Sequence, residues 1–273
     1  MSRQFDPKKI LWTLPFIVAP PLLWEIGITI QNSVPQSDTT TSTPQSVATP
    51  KAARTPDRVF SPDNKAFELK VRHFNTGIAT DQSDWGDKSY EYSTRSHNTE
   101  DTAIVIVSAF GSHPNEGYLK RVLLHQQRKL VPLLALARNN GMHIIHCTNG
   151  HALSPICEPD ANTALEYVID HSEPNGIDQL IAYFEANGIA NALYAGYESN
   201  GDFLYSPTGF NRARYLQARG DIDVAAVMIR DCTLALENSE SYKGKWFNKM
   251  AIYDCDAHGY TTTLNEIRKG LRE

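Results

Sequence analysis

The sequence predicts an α/β fold built on a mostly parallel sheet covered by helices on both faces. Three observations point there. Short continuous β-branched runs such as Thr102 to Val107 (TAIVIV) and Val224 to Ile229 (VAAVMI) read as fully buried strands. Segments of helical periodicity alternate with them. An apolar run, Ala192 to Ala195, ends in Gly196 and a polar knuckle, Glu198-Ser199-Asn200-Gly201-Asp202, which is how a strand hands over to a helix in a parallel unit.

The chain has 273 residues, of which 41% are hydrophobic, enough for one large α/β domain or two small ones. A net charge of −5 with scattered basic residues gives no reason to expect nucleic-acid binding. Three regions follow from composition: 1–31, 32–58 and 59–273. In the first, Ile10 to Ile30 is an apolar run long enough to cross a bilayer needing about 20 helical residues. Arg3, Lys8 and Lys9 precede it and the next basic residue is Lys51, which puts the N-terminus inside and the rest of the chain outside. It reads as a signal anchor tethering an extracytoplasmic domain to the membrane. A cleaved signal peptide and a buried helix of the domain are the alternatives. Residues 32–58, rich in Ser, Thr, Pro and Gln, read as a disordered linker.

Phe60 to Glu100 is polar with scattered aromatics and is expected to be an irregular arm over the domain surface. The strand Thr102 to Val107 ends at Ser108-Ala109-Phe110. A helix from Tyr118 to Asn140 follows, kinked at Pro132 and stopped by Asn139-Asn140-Gly141. Met142 to His146 is the second strand, and Leu165 to Ile169 a third, short one. A helix from Ile177 to Asn187 stops at Gly188, and the strand Asn191 to Ala195 leads into the knuckle. Asn211 to Arg219 is the next helix, and Trp246 to Ala257 another. A short strand at Tyr260 to Thr262 precedes a last helix, Leu264 to Leu271, capped by Thr263.

Sites in open parallel sheets lie just beyond the strand carboxyl ends, so the knuckle and the start of the following helix are the places to look. Asp202 stands where unpaired N–H groups favour negative charge. Phe110, Glu198, Ser199, Asn200 and Gly201 are the pocket candidates around it. An ordinary capped loop is the plain alternative. Asp231, after the VAAVMI strand, is expected to tie loop backbone. Cys147, Cys157, Cys232 and Cys255 lack zinc-type spacing. Outside the cytoplasm they permit disulfides, Cys147 with Cys157 being the pair to test first, while buried reduced thiols are the alternative. His143, His146 and His151 cluster in sequence, but 143 and 146 point to opposite faces of a strand, so no metal ligand set is assigned. His113 and His125 have no obvious partner. No cofactor is assigned.

Four segments, TAIVIVSAFGSHPNEGYLKR, KLVPLLALARNNGMHIIHCTNGH, IDQLIAYFEANGIANALYAGYESN and VMIRDCTLALE with the terminal HGYTTT, resemble the isochorismatase-like hydrolases, also called cysteine hydrolases. The resemblance runs from about Thr102 to the end. It implies a three-layer doubly wound sandwich, often a homo-oligomer, with an Asp, a Lys and a nucleophilic Cys. Carried over singly, the Asp position falls on Ser108 and the Cys position on Asp202. The Lys position falls within Ile169-Asp170-His171, with His171 the choice. With no thiol at the helix start, the resemblance points to a catalytically degenerate member that binds a small molecule or protein partner. The alternative is a hydrolase of a C–N, ester or vinyl-ether bond rebuilt from Ser108, His171 and Asp202, which are the residue types of a hydrolytic triad.

Overall fold

The computed structural model describes residues 64–75, 90–173 and 175–272. The expected anchor at 10–30 and linker at 32–58 lie outside the described residues. Among the described residues no helix is long and apolar enough to cross a membrane.

The strands in chain order are β1 (Ala66–Phe74), β2 (Tyr90–Asn98), β3 (Thr102–Val107), β4 (His143–Thr148), β5 (Glu166–Asp170), β6 (Asn191–Tyr197), β7 (Ala225–Leu234) and β8 (Tyr260–Thr262). They form one sheet in the order β2-β1-β8-β7-β6-β3-β4-β5. From β8 to β5 neighbours run parallel, while β1 pairs antiparallel with both β2 and β8. The helices are α1 (Glu116–His125), α2 (Val131–Asn139), α3 (Gly176–Asn187), α4 (Asp202–Tyr205), α5 (Phe210–Arg219), α6 (Trp246–His258) and α7 (Leu264–Leu271).

Alternation along each strand splits the core into two layers. Ile104, Ile106, Ile144, Leu193 and Val227 join Val122 of α1, Leu133 of α2 and Ile267 of α7 on one face. Val105, Val107, Ile145, Tyr194 and Met228 meet Leu180 of α3, Phe210 of α5 and Cys255 of α6 on the other. Helices on both sides of a mostly parallel sheet make the three-layer, doubly wound architecture expected from the sequence.

The chain builds outward from β3 through β4 to β5, then returns to lay β6 against the other side of β3. The order therefore reverses between β3 and β6, and their carboxyl ends open the crevice where such sheets bind ligands. Gly196 is essential to that junction. It has φ +146, and a Cβ there would strike the carbonyl oxygen of Val107 on β3.

Three expectations are corrected. The supposed irregular arm contains an antiparallel hairpin of two nine-residue strands, with β1 paired to β2 from Ala66↔Asn98 to Phe74↔Tyr90. Its signal was an alternation, since Phe67, Leu69 and Val71 are buried between exposed Ala66, Glu68 and Lys70. The helix over Tyr118 to Asn140 is two helices joined by a π-helical turn, Gln126–Leu130. There the Val131 N–H reaches Gln126 O, one residue farther than in an α-helix, and Pro132, which has no N–H, sits in the first turn of α2. The strand expected to end at Ile229 continues to Leu234, because β7 bulges between Met228↔Tyr194 and Thr233↔Gly196. The polar Arg230 and Asp231 in the bulge broke the apolar run that marked the strand.

Candidate functional site

Three strand ends meet at the reversal. Ser108, the residue after β3, has φ 56, a conformation uncommon for anything but glycine. Its N–H donates to Cys147 O at 2.8 Å, and its buried hydroxyl donates to Asp202 Oδ2 at 3.0 Å. Asn149, just after β4, donates its side-chain N–H to the same oxygen at 2.6 Å. Asp202 opens α4 behind Gly201, so the two donors and the helix start hold its carboxylate in place. Both of these bonds go to Oδ2, and no described group donates to Asp202 Oδ1.

His171 follows β5, and its N–H donates to Thr148 O at 2.7 Å. Its Nδ1 lies 3.0 Å from the hydroxyl of Thr208, in the turn between α4 and α5. Burial pushes its pKa below the ordinary value, against the pull of Asp202 and Asp170. The structure thus brings Ser108 and Asp202 into direct contact, whereas the imidazole of His171 bonds Thr208. In a Ser-His-Asp relay the imidazole stands between hydroxyl and carboxylate. Here the hydroxyl bonds the carboxylate itself.

Glu198 also has positive φ, at 51, so adjacent strands β3 and β6 both exit through left-handed residues. Its Oε1 is 3.1 Å from His113 Nε2, and its N–H donates to Tyr118 Oη at 2.9 Å. The N–H of Asn115 donates to His113 Nδ1 at 3.0 Å, so in the neutral ring the proton sits on Nε2, facing Glu198. Phe110 stacks on His113 with ring centroids 5.2 Å apart.

Other candidates are occupied in holding the knuckle. The buried Ser199 hydroxyl donates to Asn248 Oδ1 on α6 at 2.8 Å. The side chain of Asn200 accepts from Leu236 N at 3.0 Å and donates to Leu236 O at 3.3 Å. Sequence reasoning missed Asn149 and Thr208, and it gave His113 no partner. Asn149 and His113 stand in the loops just after strand ends, which was the available signal; Thr208 arrives only through the turn after α4. His125 likewise has a partner, Tyr197 Oη at 3.2 Å.

All four cysteines are free and buried, and none forms a disulfide, Cys147 with Cys157 included. Burial pushes Cys147 and Cys157 up to about 12 and raises Cys232 and Cys255 well above the ordinary thiol range. Such sulfurs stay protonated and unreactive. His143 and His146 do point to opposite faces, toward Tyr183 Oη at 2.9 Å and Glu166 Oε2 at 3.0 Å. Among the described residues no group of three or more His, Cys, Asp or Glu is placed to hold a metal ion. Asp231 ties backbone, accepting from Leu264 N at 2.8 Å while Lys129 pairs with its other oxygen at 2.9 Å.

No protein-family model and no curated protein matches the sequence. Solved structures do. The chain is similar to isochorismatase-like hydrolases. One, from Alkaliphilus metalliredigens, is 14% identical with a TM-score of 0.45, over 62% of this chain and 98% of that one. A cysteine hydrolase from Pseudomonas syringae pv. phaseolicola 1448A is 12% identical with a TM-score of 0.45, over 64% and 95%. An isochorismatase from Pseudomonas putida KT2440 is 18% identical with a TM-score of 0.42, over 60% and 88%.

Proposed function

We propose that this chain is an isochorismatase-like domain without thiol chemistry, which binds a small molecule or a partner's side chain at Asp202. The observation that carries the reading is the carboxylate at the first residue of α4. Two donors fix it through Oδ2, and no described group donates to Oδ1. A fixed anion in a crevice suits an ammonium or hydroxyl group of the ligand. The protonated, buried cysteines support the absence of a thiol nucleophile. The apolar run at 10–30 supports a membrane-anchored domain outside the cytoplasm, and the intact mass of membrane-extracted protein tests it: a mass lacking those residues removes the anchor.

Calorimetric titration with a small primary amine such as propylamine tests the binding reading. Saturable binding is expected, weakened at least about tenfold in Asp202→Asn, which loses the charge. Equal binding by the two proteins would remove the proposal.

A second reading, hydrolysis by a rebuilt site, rests on the 3.0 Å contact between Ser108 and Asp202. It requires an acyl or alkyl adduct on Ser108 during turnover of amide, ester or vinyl-ether substrates. Mass spectrometry reads that directly.

A further inference from the structure

Away from the strand-end site, two contiguous cavities of about 490 and 120 Å³ lie between the β1–β2 hairpin, β8 and α7. Both are lined by Lys70 and Glu266. The larger adds Glu68, Lys269 and Arg272, and the smaller Arg72, Arg230 and Thr263. This is a concentration of positive charge on a chain whose net charge is −5.

Pairing within the groove does not neutralise it. Arg72 is chelated by buried Asp256, with Nε to Oδ1 at 3.2 Å and Nη2 to Oδ2 at 2.8 Å. Lys269 pairs with Glu266 at 3.0 Å. Lys70 and Arg272 have no described carboxylate partner, and Arg230 reaches Asp256 only through the Thr261 hydroxyl. Lys70 Nζ lies over the Tyr92 ring, 5.0 Å from its centroid, a contact that leaves its ammonium protons free.

Arg230 is the telling member. It is half-buried in the β7 bulge, and the one described hydrogen bond of its guanidinium goes from Nη1 to the hydroxyl of Thr261 at 2.7 Å. That hydroxyl in turn donates a hydrogen bond to Asp256 Oδ1 at 2.6 Å, on the carboxylate Arg72 already holds. One buried acid thus holds Arg72 directly and Arg230 only through a hydroxyl. Burial, then repulsion from Arg72, holds the Arg230 pKa below its ordinary value, the condition a bound anion relieves. A guanidinium keeps its charge under such stress and presents a planar fork of donors suited to oxyanions. Thr263 Oγ1 accepts from Glu266 N at 3.2 Å and retains its own proton to donate.

We propose that this groove is a binding site for a small polyvalent oxyanion, a phosphate or polycarboxylate group gripped by Arg230, Lys70 and Arg272. It is independent of what binds at Asp202. Full-length protein is titrated by calorimetry with inorganic pyrophosphate and, separately, with citrate, at about 50 mM and about 300 mM salt. Saturable one-site binding of at least one probe is expected, weaker at the higher salt. Stronger binding of pyrophosphate assigns the phosphate class, and stronger binding of citrate the carboxylate class. The double variant Lys70→Gln/Arg272→Gln changes two residues outside the core, and it should weaken binding at least about tenfold. Arg230→Gln should do the same with its circular dichroism unchanged, while Asp202→Asn binds as the native protein does. No saturable binding of either probe, or native affinity in Lys70→Gln/Arg272→Gln, overturns the proposal.

Discussion

The Ser108 hydroxyl donates to the Asp202 carboxylate at 3.0 Å across 94 residues of chain. The contact exists because β3 and β6 are parallel neighbours, paired from Thr102↔Asn191 to Val107↔Gly196, so their carboxyl ends finish side by side. Each end turns through a left-handed residue, Ser108 and Glu198, and the second turn delivers the start of α4 over the first.

Removing the hydroxyl leaves the carboxylate with Asn149 as its described partner. Ser108→Ala should cost about 1.5–3 kcal/mol, the range for a hydrogen bond to a charged group. The thermal unfolding midpoint should fall by roughly 3–12 °C for a domain of this size. An unchanged midpoint would mean that the bond is not formed in solution.

The native thiols should resist iodoacetamide at pH 7 without denaturant, because burial keeps all four protonated and covered. Asp202→Cys places a sulfur at the first residue of α4, half exposed, and should be alkylated alone. Mass spectrometry counts the adducts; rapid labelling of the native chain would contradict the burial.

Acid should destabilise the fold in two stages. Burial lowers His125 and His143 to about 4, below the unfolded value of about 6.5. The unfolded chain then binds more protons, and stability falls as pH drops from about 6.5 toward 4. Glu166 is held at about 2 against its burial by hydrogen bonds from His146, Arg138 and the Asp160 N–H. Its contribution is present above the unfolded carboxylate value and is lost as pH falls from about 4.5 to about 2. Urea midpoints at pH 7, 5 and 3 measure both stages, and Glu166→Gln should flatten the second while lowering stability at pH 7.

Gly196→Ala should be severe, costing at least about 3 kcal/mol, since it adds a clash with Val107 O to a backbone conformation that side chains rarely adopt. Urea denaturation checks it. Gly220 is also left-handed, but a Cβ at that position would meet nothing within 4 Å, so alanine there should cost only about 1 kcal/mol.

Most elements were readable because burial leaves a period. The run TAIVIV, the stops at Gly188 and Gly220, and the Thr263 cap on α7 fall where the pattern put them. The β1–β2 hairpin was missed because one face of β1 is largely exposed and β2 is almost nowhere fully buried, so aromatics scattered among polar residues looked irregular. The extension of β7 was missed because its bulge carries Arg230 and Asp231, whose partners Thr261, Leu264 and Lys129 are distant in sequence.

The order of residues alone determined the alternation of strands and helices, and that an acid opens the helix after the knuckle. Tertiary structure alone decided that Ser108 and Asn149 grip one oxygen of that acid, that His171 turns to Thr208, and that His113 faces Glu198. Periodicity records which face of an element is buried, a local property of hydrophobic burial. Which strand ends become neighbours depends on the order of strands in the sheet, which local sequence does not encode.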